Sequence, residues 1–291
     1  MELRVLRYFL AVAREESITR AAQSLHLSQP TLSRQLRDLE EELGKELLIR
    51  QPRRVLLTED GMILRKRAEE ILSLVEKAES EIRTDGEALA GDIYIGAGET
   101  KGAHVLTRTA ARLQARHPNL RFHMFSGDTV NVVEQLDKGL IDFGLIFDPV
   151  DYTKYQVLPL PEQDTWGVLM RADSPLAAKE SVTVEDLRGL PLILSRQSLD
   201  NDTLADWFGT PLARLPVAAT YNLAYNASLM VADGMGYALC LDRIISAEVG
   251  ALAFRPLDPP KRAGMSVIWK RYQVFSKASE CFLAALREEL C

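Results

Sequence analysis

Ala21-Ala22 and Leu25, followed by Ser28-Gln29-Pro30-Thr31-Leu32-Ser33-Arg34-Gln35-Leu36, form the stretch on which the reading of this chain turns. A helix capped by Thr19 turns Ala21, Ala22 and Leu25 inward. His26 and Leu27 leave room only for a tight link. Ser28 is a good N-cap, and Pro30 falls in the first turn, where its missing N–H costs nothing. Leu32, Leu36, Leu39 and Leu43 then mark one face, and Gly44 ends the helix. Two helices joined this tightly push the start of the second one outward. Short polar side chains there fit a major groove about 12 Å wide. Gln29 can pair bidentately with adenine and Arg34 with guanine. Ser28, Thr31 and the free amides of the first turn suit phosphate oxygens. Arg37, one turn on, reaches the sugar-phosphate backbone. The plain alternative is a three-helix bundle with a solvated polar face.

Working outward, Leu3, Leu6, Phe9, Leu10 and Ala13 recur at helical spacing and supply a preceding helix. After Gly44, Lys45 to Thr58 reads as a short β-ribbon with Arg53 and Arg54 at its tip, suited to an adjacent minor groove or phosphates. Thr58 caps a long helix with Glu59 and Asp60 in its first turn, favourable at the positive end of the helix dipole. Along it Leu64, Ala68, Ile71, Val75, Ala78 and Ile82 make a heptad seam of roughly 27 Å. The seam can pack on its own domain or on a partner. Its narrowness and charged flanks point to a partner helix, hence to a dimer that reads two half-sites. Thr84 to Gly91 reads as a hinge.

Beyond residue 90 the pattern changes. Strands at 92–97, 121–125 and 143–147 alternate with helices at 101–116 and 128–138, which predicts a parallel sheet with crossover helices. Strands at 165–170, 191–195, 215–220, 237–241 and 252–257 and a helix at 223–233 predict a second lobe. Met265 to Trp269 and a helix at 278–289 return to the first. Ligands of such sheets lie beyond the carboxyl ends of the strands. Thr100 with Lys101, and Ser126, Gly127 and Thr129, open helices and could take an anion, although a hydroxyl there is also an ordinary N-cap. Phe147, Ser195, Gln197 and Asn222 end strands or begin helices around the same expected cleft. Trp166, Trp207 and Trp269 are most simply packing residues.

Composition narrows the classes. The 291 residues are 47% hydrophobic and 26% charged, a globular balance that excludes fibrous and largely disordered chains. The net charge of −6 gives no general pull toward nucleic acid, but residues 20–54 carry a local surplus of +2. Three cysteines at scattered positions and four histidines give neither a disulfide framework nor a metal site, and no cofactor is expected. Cys240 sits in an apolar strand pattern and reads as buried and inert. The charged N-terminus is not a signal peptide, and charges interrupt every candidate membrane span. A cytoplasmic protein with no membrane partner is expected. No nucleophile–base pair or phosphate loop suggests an enzyme.

Residues 1–62 resemble the N-terminal domain of the LysR-type transcriptional regulators. The resemblance lies in L-R-Y-F-L-A-V-A, the long run S-I-T-R-A-A-Q-S-L-H-L-S-Q-P-T-L-S-R-Q-L-R-D-L-E-E-E-L-G, then L-L-I-R and L-L-T-E-D-G. Further on, V-A-D-G-M-G-Y-A-L (231–239) is similar to the V-x-x-G-x-G segment of the family. The resemblance implies an α/β protein with a winged helix-turn-helix over 1–58, a dimerisation helix and hinge over 59–90, and an effector domain over 91–291. That domain would resemble periplasmic binding proteins, with lobe one at about 91–161 and 265–291 and lobe two at about 162–264. Gln29, Pro30, Thr31, Ser33 and Arg34 would face bases, and Arg37 and Arg53 the backbone or groove. A Ser or Thr at the position of Thr100 would bind a small molecule. The effector would shift DNA bending and polymerase contact, in a homodimer or homotetramer. Leu48 stands where the family usually has Phe. Asp148 follows Phe147 where some acid-binding relatives carry a base, which argues against a strongly anionic ligand. A rival reading is a two-lobed solute-binding module whose helical front end serves only for assembly.

Overall fold

A computed structural model describes residues 1–51, 54–82, 89–245 and 252–290. The chain forms two compact units, Met1–Arg83 and Thr84–Cys291.

The first unit contains α1 (Leu3–Glu15), α2 (Ile18–Ser24), α3 (Gln29–Leu43), β1 (Leu48–Arg50), β2 (Val55–Leu57) and α4 (Glu59–Ile82). Val5, Phe9 and Val12 of α1 meet Ala21 and Ala22 of α2 and Leu32, Leu36 and Leu39 of α3 in one core. Burying Phe9 completely contributes about 2–3 kcal/mol. Ser17, not Thr19, caps α2: its hydroxyl accepts the Arg20 N–H at 3.3 Å. The shift follows from Glu16, which ends α1 in the left-handed region at φ 48° and leaves Ser17 extended. Ser28 caps α3 through the Thr31 N–H, and Gly44 closes it at φ 64°, a conformation that costs glycine least. The Glu40 carboxylate of α3 accepts the Leu47 and Leu48 N–H groups and pairs with Arg50, tying the ribbon to the helix.

The seam on α4 is used in two ways. Ala68 is fully buried with Leu72 against Leu6 of α1, and Leu64 and Ile71 pack at the margin of that cluster. Its first half thus packs on its own unit, because Leu6 and Leu10 of α1 present apolar side chains to it. The second half stays open: Val75 is half-buried, Ala78 is exposed and Ile82 is 79% exposed.

The second unit begins with β3 (Gly91–Ala97), α5 (Ala103–Arg116), β4 (Leu120–Ser126), α6 (Thr129–Asp137), β5 (Phe143–Phe147) and β6 (Tyr155–Pro159). The chain then crosses to β7 (Asp164–Arg171), α7 (Val184–Leu187), β8 (Leu192–Ser195), α8 (Arg196–Asp200), α9 (Ala205–Phe208) and β9 (Val217–Tyr221). It continues through α10 (Ala224–Ala232), β10 (Tyr237–Leu241), β11 (Leu252–Pro256) and β12 (Arg262–Ala263), and returns through β13 (Met265–Lys270) to α11 (Lys277–Leu290). Lobe one is built on the sheet β4-β3-β5-β13-β6, lobe two on β11-β7-β10-β8-β9 with β12 beside β7.

The sheets are mixed, not parallel as the β/α alternation predicts. β3 pairs parallel with β4 and β5, and β8 parallel with β9 and β10, but β13 and β7 run antiparallel to their neighbours. The reason is the path. The parallel strands end where the lobes face each other, and β7 and β13 enter from that side. The two crossings also pair with each other: the Leu160 N–H donates to the Met265 carbonyl at 2.9 Å, and Asp164 stands opposite Ala263. Lobe one is filled by Ile93, Ile95, Leu106, Phe143, Val267 and Phe282, lobe two by Val168, Met170, Leu192, Leu194 and Leu239. Among the described residues no helix is long and apolar enough to cross a membrane.

Candidate functional site

Two surfaces carry chemistry, one in each unit. In the first, the start of α3 stands clear of the core. Ser28, Gln29, Pro30, Thr31 and Arg34 are exposed, and Ser28 Oγ lies 2.7 Å from Thr31 Oγ1. Arg34 is 80% exposed by side chain and touches Asp38 only at 3.9 Å, so its guanidinium can turn to another acceptor. Arg37 is exposed, its Nε near the Ser33 carbonyl at 3.4 Å. Ser33 differs from the expectation of an outward residue: it is 8% exposed, on the same side of α3 as Leu32 and Leu36. On the ribbon, Arg54 donates to Gln51 Oε1 at 3.0 Å. Arg53 lies outside the described residues.

In the second unit a cleft of about 1090 Å³ opens between the lobes. Thr129, Phe147, Ser195, Gln197 and Asn222 line it as the strand and helix ends predict. Gln197 of lobe two reaches Thr129 of lobe one: the Thr129 N–H donates to Gln197 Oε1 at 2.9 Å, and Gln197 Nε2 to Thr129 Oγ1 at 3.0 Å. Ser195 caps α8, its Oγ accepting the Ser198 N–H at 3.0 Å.

Thr100, Lys101 and Ser126 are not among the lining residues. Helix α5 begins at Ala103, later than the sequence suggests, and Thr100 sits in the preceding turn. Its hydroxyl donates to the Asp164 carboxylate, lies 2.8 Å from the Met265 sulfur and accepts the Gly102 N–H. Lys101 pairs with Glu162 at 3.8 Å, and Ser126 is exposed away from the cleft.

The cleft also holds residues that were not among the expected ligand-binding positions. Glu99 accepts the Ala224 N–H at the start of α10. Asp128 caps α6 through Asn131, Asp202 accepts the Leu212 N–H at 2.8 Å, and Asp206 pairs with Lys261. Asp148 accepts the Ser266 hydroxyl at 3.0 Å, and a Cβ on Gly264 would come within 2.5 Å of its other oxygen, so only glycine leaves this carboxylate its place. Trp166, expected as packing alone, both packs in lobe two and lines the cleft, with Tyr221 nearby. A lone acid in a turn carries no local signal: the partner of Glu99 is 125 residues away. Below the cleft, Cys240 is 3% exposed, and burial pushes its thiol up to about 12.

A helix-turn-helix unit with a ribbon, followed by a two-lobed α/β domain, defines a class of regulatory proteins, and the sequence places the chain within it. Residues 3–62 match the family described as bacterial regulatory helix-turn-helix protein, lysR family, and residues 86–291 match the LysR substrate binding domain. The chain belongs to the LysR family. It is 34% identical over 279 residues to the DNA-binding transcriptional dual regulator OxyR of Escherichia coli strain K12, covering 89% of this chain and 91% of that protein. It is also 34% identical over 194 residues to a hydrogen peroxide-inducible genes activator of Dickeya chrysanthemi. That match takes in 67% of this chain and 63% of the relative, so the chain spans less than two thirds of that protein's length. Among solved structures, the crystal structure of CbnR, a LysR family transcriptional regulator, superposes with a TM-score of 0.78 at 20% identity, covering all of both chains. At that identity the likeness is one of fold.

Proposed function

We infer that this chain is a sequence-specific DNA-binding transcriptional regulator whose DNA binding or bending is set by a small molecule in the interlobe cleft. The observation that carries the reading is the outward start of α3. Gln29, Pro30, Thr31 and Arg34 project from a capped helix whose other face is locked into a core. Gln29 and Arg34 read base edges; Ser28, Thr31 and the first-turn amides hold phosphates; Arg37 and Arg54 add backbone contacts, and Arg53 belongs with them. A single helix-turn-helix binds weakly, and the uncovered end of α4 at Val75, Ala78 and Ile82 supplies the seam for a homodimer, which can pair into a tetramer. The protein works in the cytoplasm beside its operator, and RNA polymerase is the natural recipient of the signal.

The effector acts by binding one of two assemblies better than the other, since only differential affinity shifts an equilibrium. The cleft binds and does not catalyse. Among the described residues no His or Cys lines it; Asp206 is paired with Lys261, and the serines and other carboxylates are held by amides and hydroxyls. The test is selection of duplexes from a random DNA pool by the full chain, followed by anisotropy on the enriched site. Enrichment of a two-half-site motif, lost on Arg34→Ala, is the expected result. A pool that stays random overturns the reading in favour of a solute-binding module.

A further inference from the structure

We propose that the effector of this cleft is a cationic amine with an apolar body, not a carboxylic acid. The proposal rests on reading the cleft as the effector site and concerns the charge of what enters it.

The first support is that the amides best placed to receive an anion are already taken. A carboxylate ligand in a two-lobed α/β cleft is held by helix N-termini. Here the Thr129 N–H of α6 is held by Gln197 Oε1, and the Asn131 N–H by Asp128. The Ala224 N–H of α10 is held by the Glu99 carboxylate, and the Ser198 N–H of α8 by Ser195. Thr100, the remaining hydroxyl candidate, is spent on Asp164 and Gly102. An entering acid would have to displace a bonded side chain, and at α10 a side chain that is itself an acid.

The second support is the charge of the walls. Glu99, Asp128, Asp148, Asp202 and Asp206 line the cleft against Lys261 and Arg262, and Lys261 is neutralised by Asp206. Three of the four remaining carboxylates accept backbone N–H groups. Asp148 has a single hydroxyl donor, Ser266, and an oxygen that Gly264 leaves room for. It is the natural anchor for an ammonium group. Phe147, Trp166 and Tyr221 line the same cleft, and aromatic faces attract a cation while burying its carbon skeleton.

The test uses the full chain and two probes of similar shape and opposite charge, 2-phenylethylamine and 3-phenylpropionate, each up to 10 mM. Thermal unfolding and calorimetric titration are read in wild type, Asp148→Asn and Glu99→Gln. Asparagine and glutamine keep the acceptor oxygens, so both variants fold. The expected result is a rise of several degrees with the amine, none with the acid, and an affinity for the amine weakened at least about tenfold in Asp148→Asn. A shift with the acid and none with the amine overturns the amine while leaving the cleft as the effector site, provided the acid's shift is lost on Gln197→Ala. An amine shift undiminished in both carboxylate variants places the amine elsewhere and overturns the proposal. No shift with the amine also overturns it.

Discussion

Gln197 holds Thr129 across the cleft with both ends of its side-chain amide, one accepting from the backbone and one donating to the hydroxyl. Each lobe contributes one residue, so the pair exists only while the lobes are close. Gln197→Ala should lower the stability of the second unit by about 1–2 kcal/mol and speed amide exchange at Thr129. Hydrogen exchange read at the Thr129 amide decides it: unchanged protection would mean that other contacts hold the lobes together.

On α3, Arg34→Ala should cost about 1–3 kcal/mol of operator binding and relax discrimination at one base pair of each half-site. Arg37→Ala should weaken all sequences alike and flatten the salt dependence. Anisotropy titrations on point-mutated operators at two salt concentrations separate the two behaviours. A uniform loss for Arg34→Ala would remove it from the base-reading set.

Assembly should fail when the open end of α4 is charged. Ile82→Glu puts a carboxylate at a position that is 79% exposed in the single chain, so folding should be unaffected while sedimentation falls to the monomer. Ile71→Glu is the poorer probe, because Ile71 packs at the margin of the Leu6–Ala68–Leu72 cluster and its loss would unfold as well as dissociate. A dimer that survives Ile82→Glu would move the seam off α4.

Asp164 makes the second unit lose stability as pH rises. Burial pushes its carboxyl above the ordinary 3.8, with Asp242 adding to the rise, while the Thr100 hydroxyl and the Lys101 amide and charge pull it down. A carboxyl that holds its proton more tightly when folded stabilises the fold fully below its unfolded value and loses that contribution as pH climbs through its raised value. Asp164→Asn, which cannot ionise, should therefore gain in melting temperature relative to wild type as pH rises from the ordinary 3.8 through the raised value of Asp164. Parallel curves across that range would show that Asp164 titrates as in the unfolded chain.

The Dickeya chrysanthemi relative carries hydrogen peroxide in its name, and Cys240 is poorly suited to that chemistry. Its thiol is buried and pushed up to about 12, so almost none is thiolate at neutral pH. Peptide mapping after treatment with hydrogen peroxide should find Cys240 unmodified in the native protein. A sulfenate there, formed without unfolding, would make the chain a candidate oxidant sensor.

How much of this could be read without coordinates depended on how local each signal is. Helix α3 was legible end to end because Ser28, Pro30 and Gly44 act within a turn of themselves. The cap of α2 was misplaced by two residues because Ser17 and Thr19 are both competent, and only the left-handed turn at Glu16 chooses between them. Most strand positions came out of periodicity, though β6 and β12 were not expected, and the reversed directions of β7 and β13 depend on where the chain has come from, which no window of residues contains. In the cleft, Gln197 and Thr129 were found from strand and helix ends. Glu99 was not, since an acid in a turn looks the same whether its partner is water or an amide in the other lobe. Thr100 was misread because α5 starts at Ala103, which turned an expected ligand into a brace for Asp164.

The paired crossings between the lobes have a mechanical meaning. Because the Leu160 N–H is bonded to Met265 and Asp164 faces Ala263, the two passages form one short antiparallel ribbon instead of two independent tethers. Such a ribbon bends easily across its width and resists sliding along its length, because sliding would break its ladder of bonds. The lobes can therefore open and shut like the covers of a book but cannot slip past one another. Whatever enters the cleft is converted into one angle, and a single angle is a quantity that a bound promoter can be made to follow.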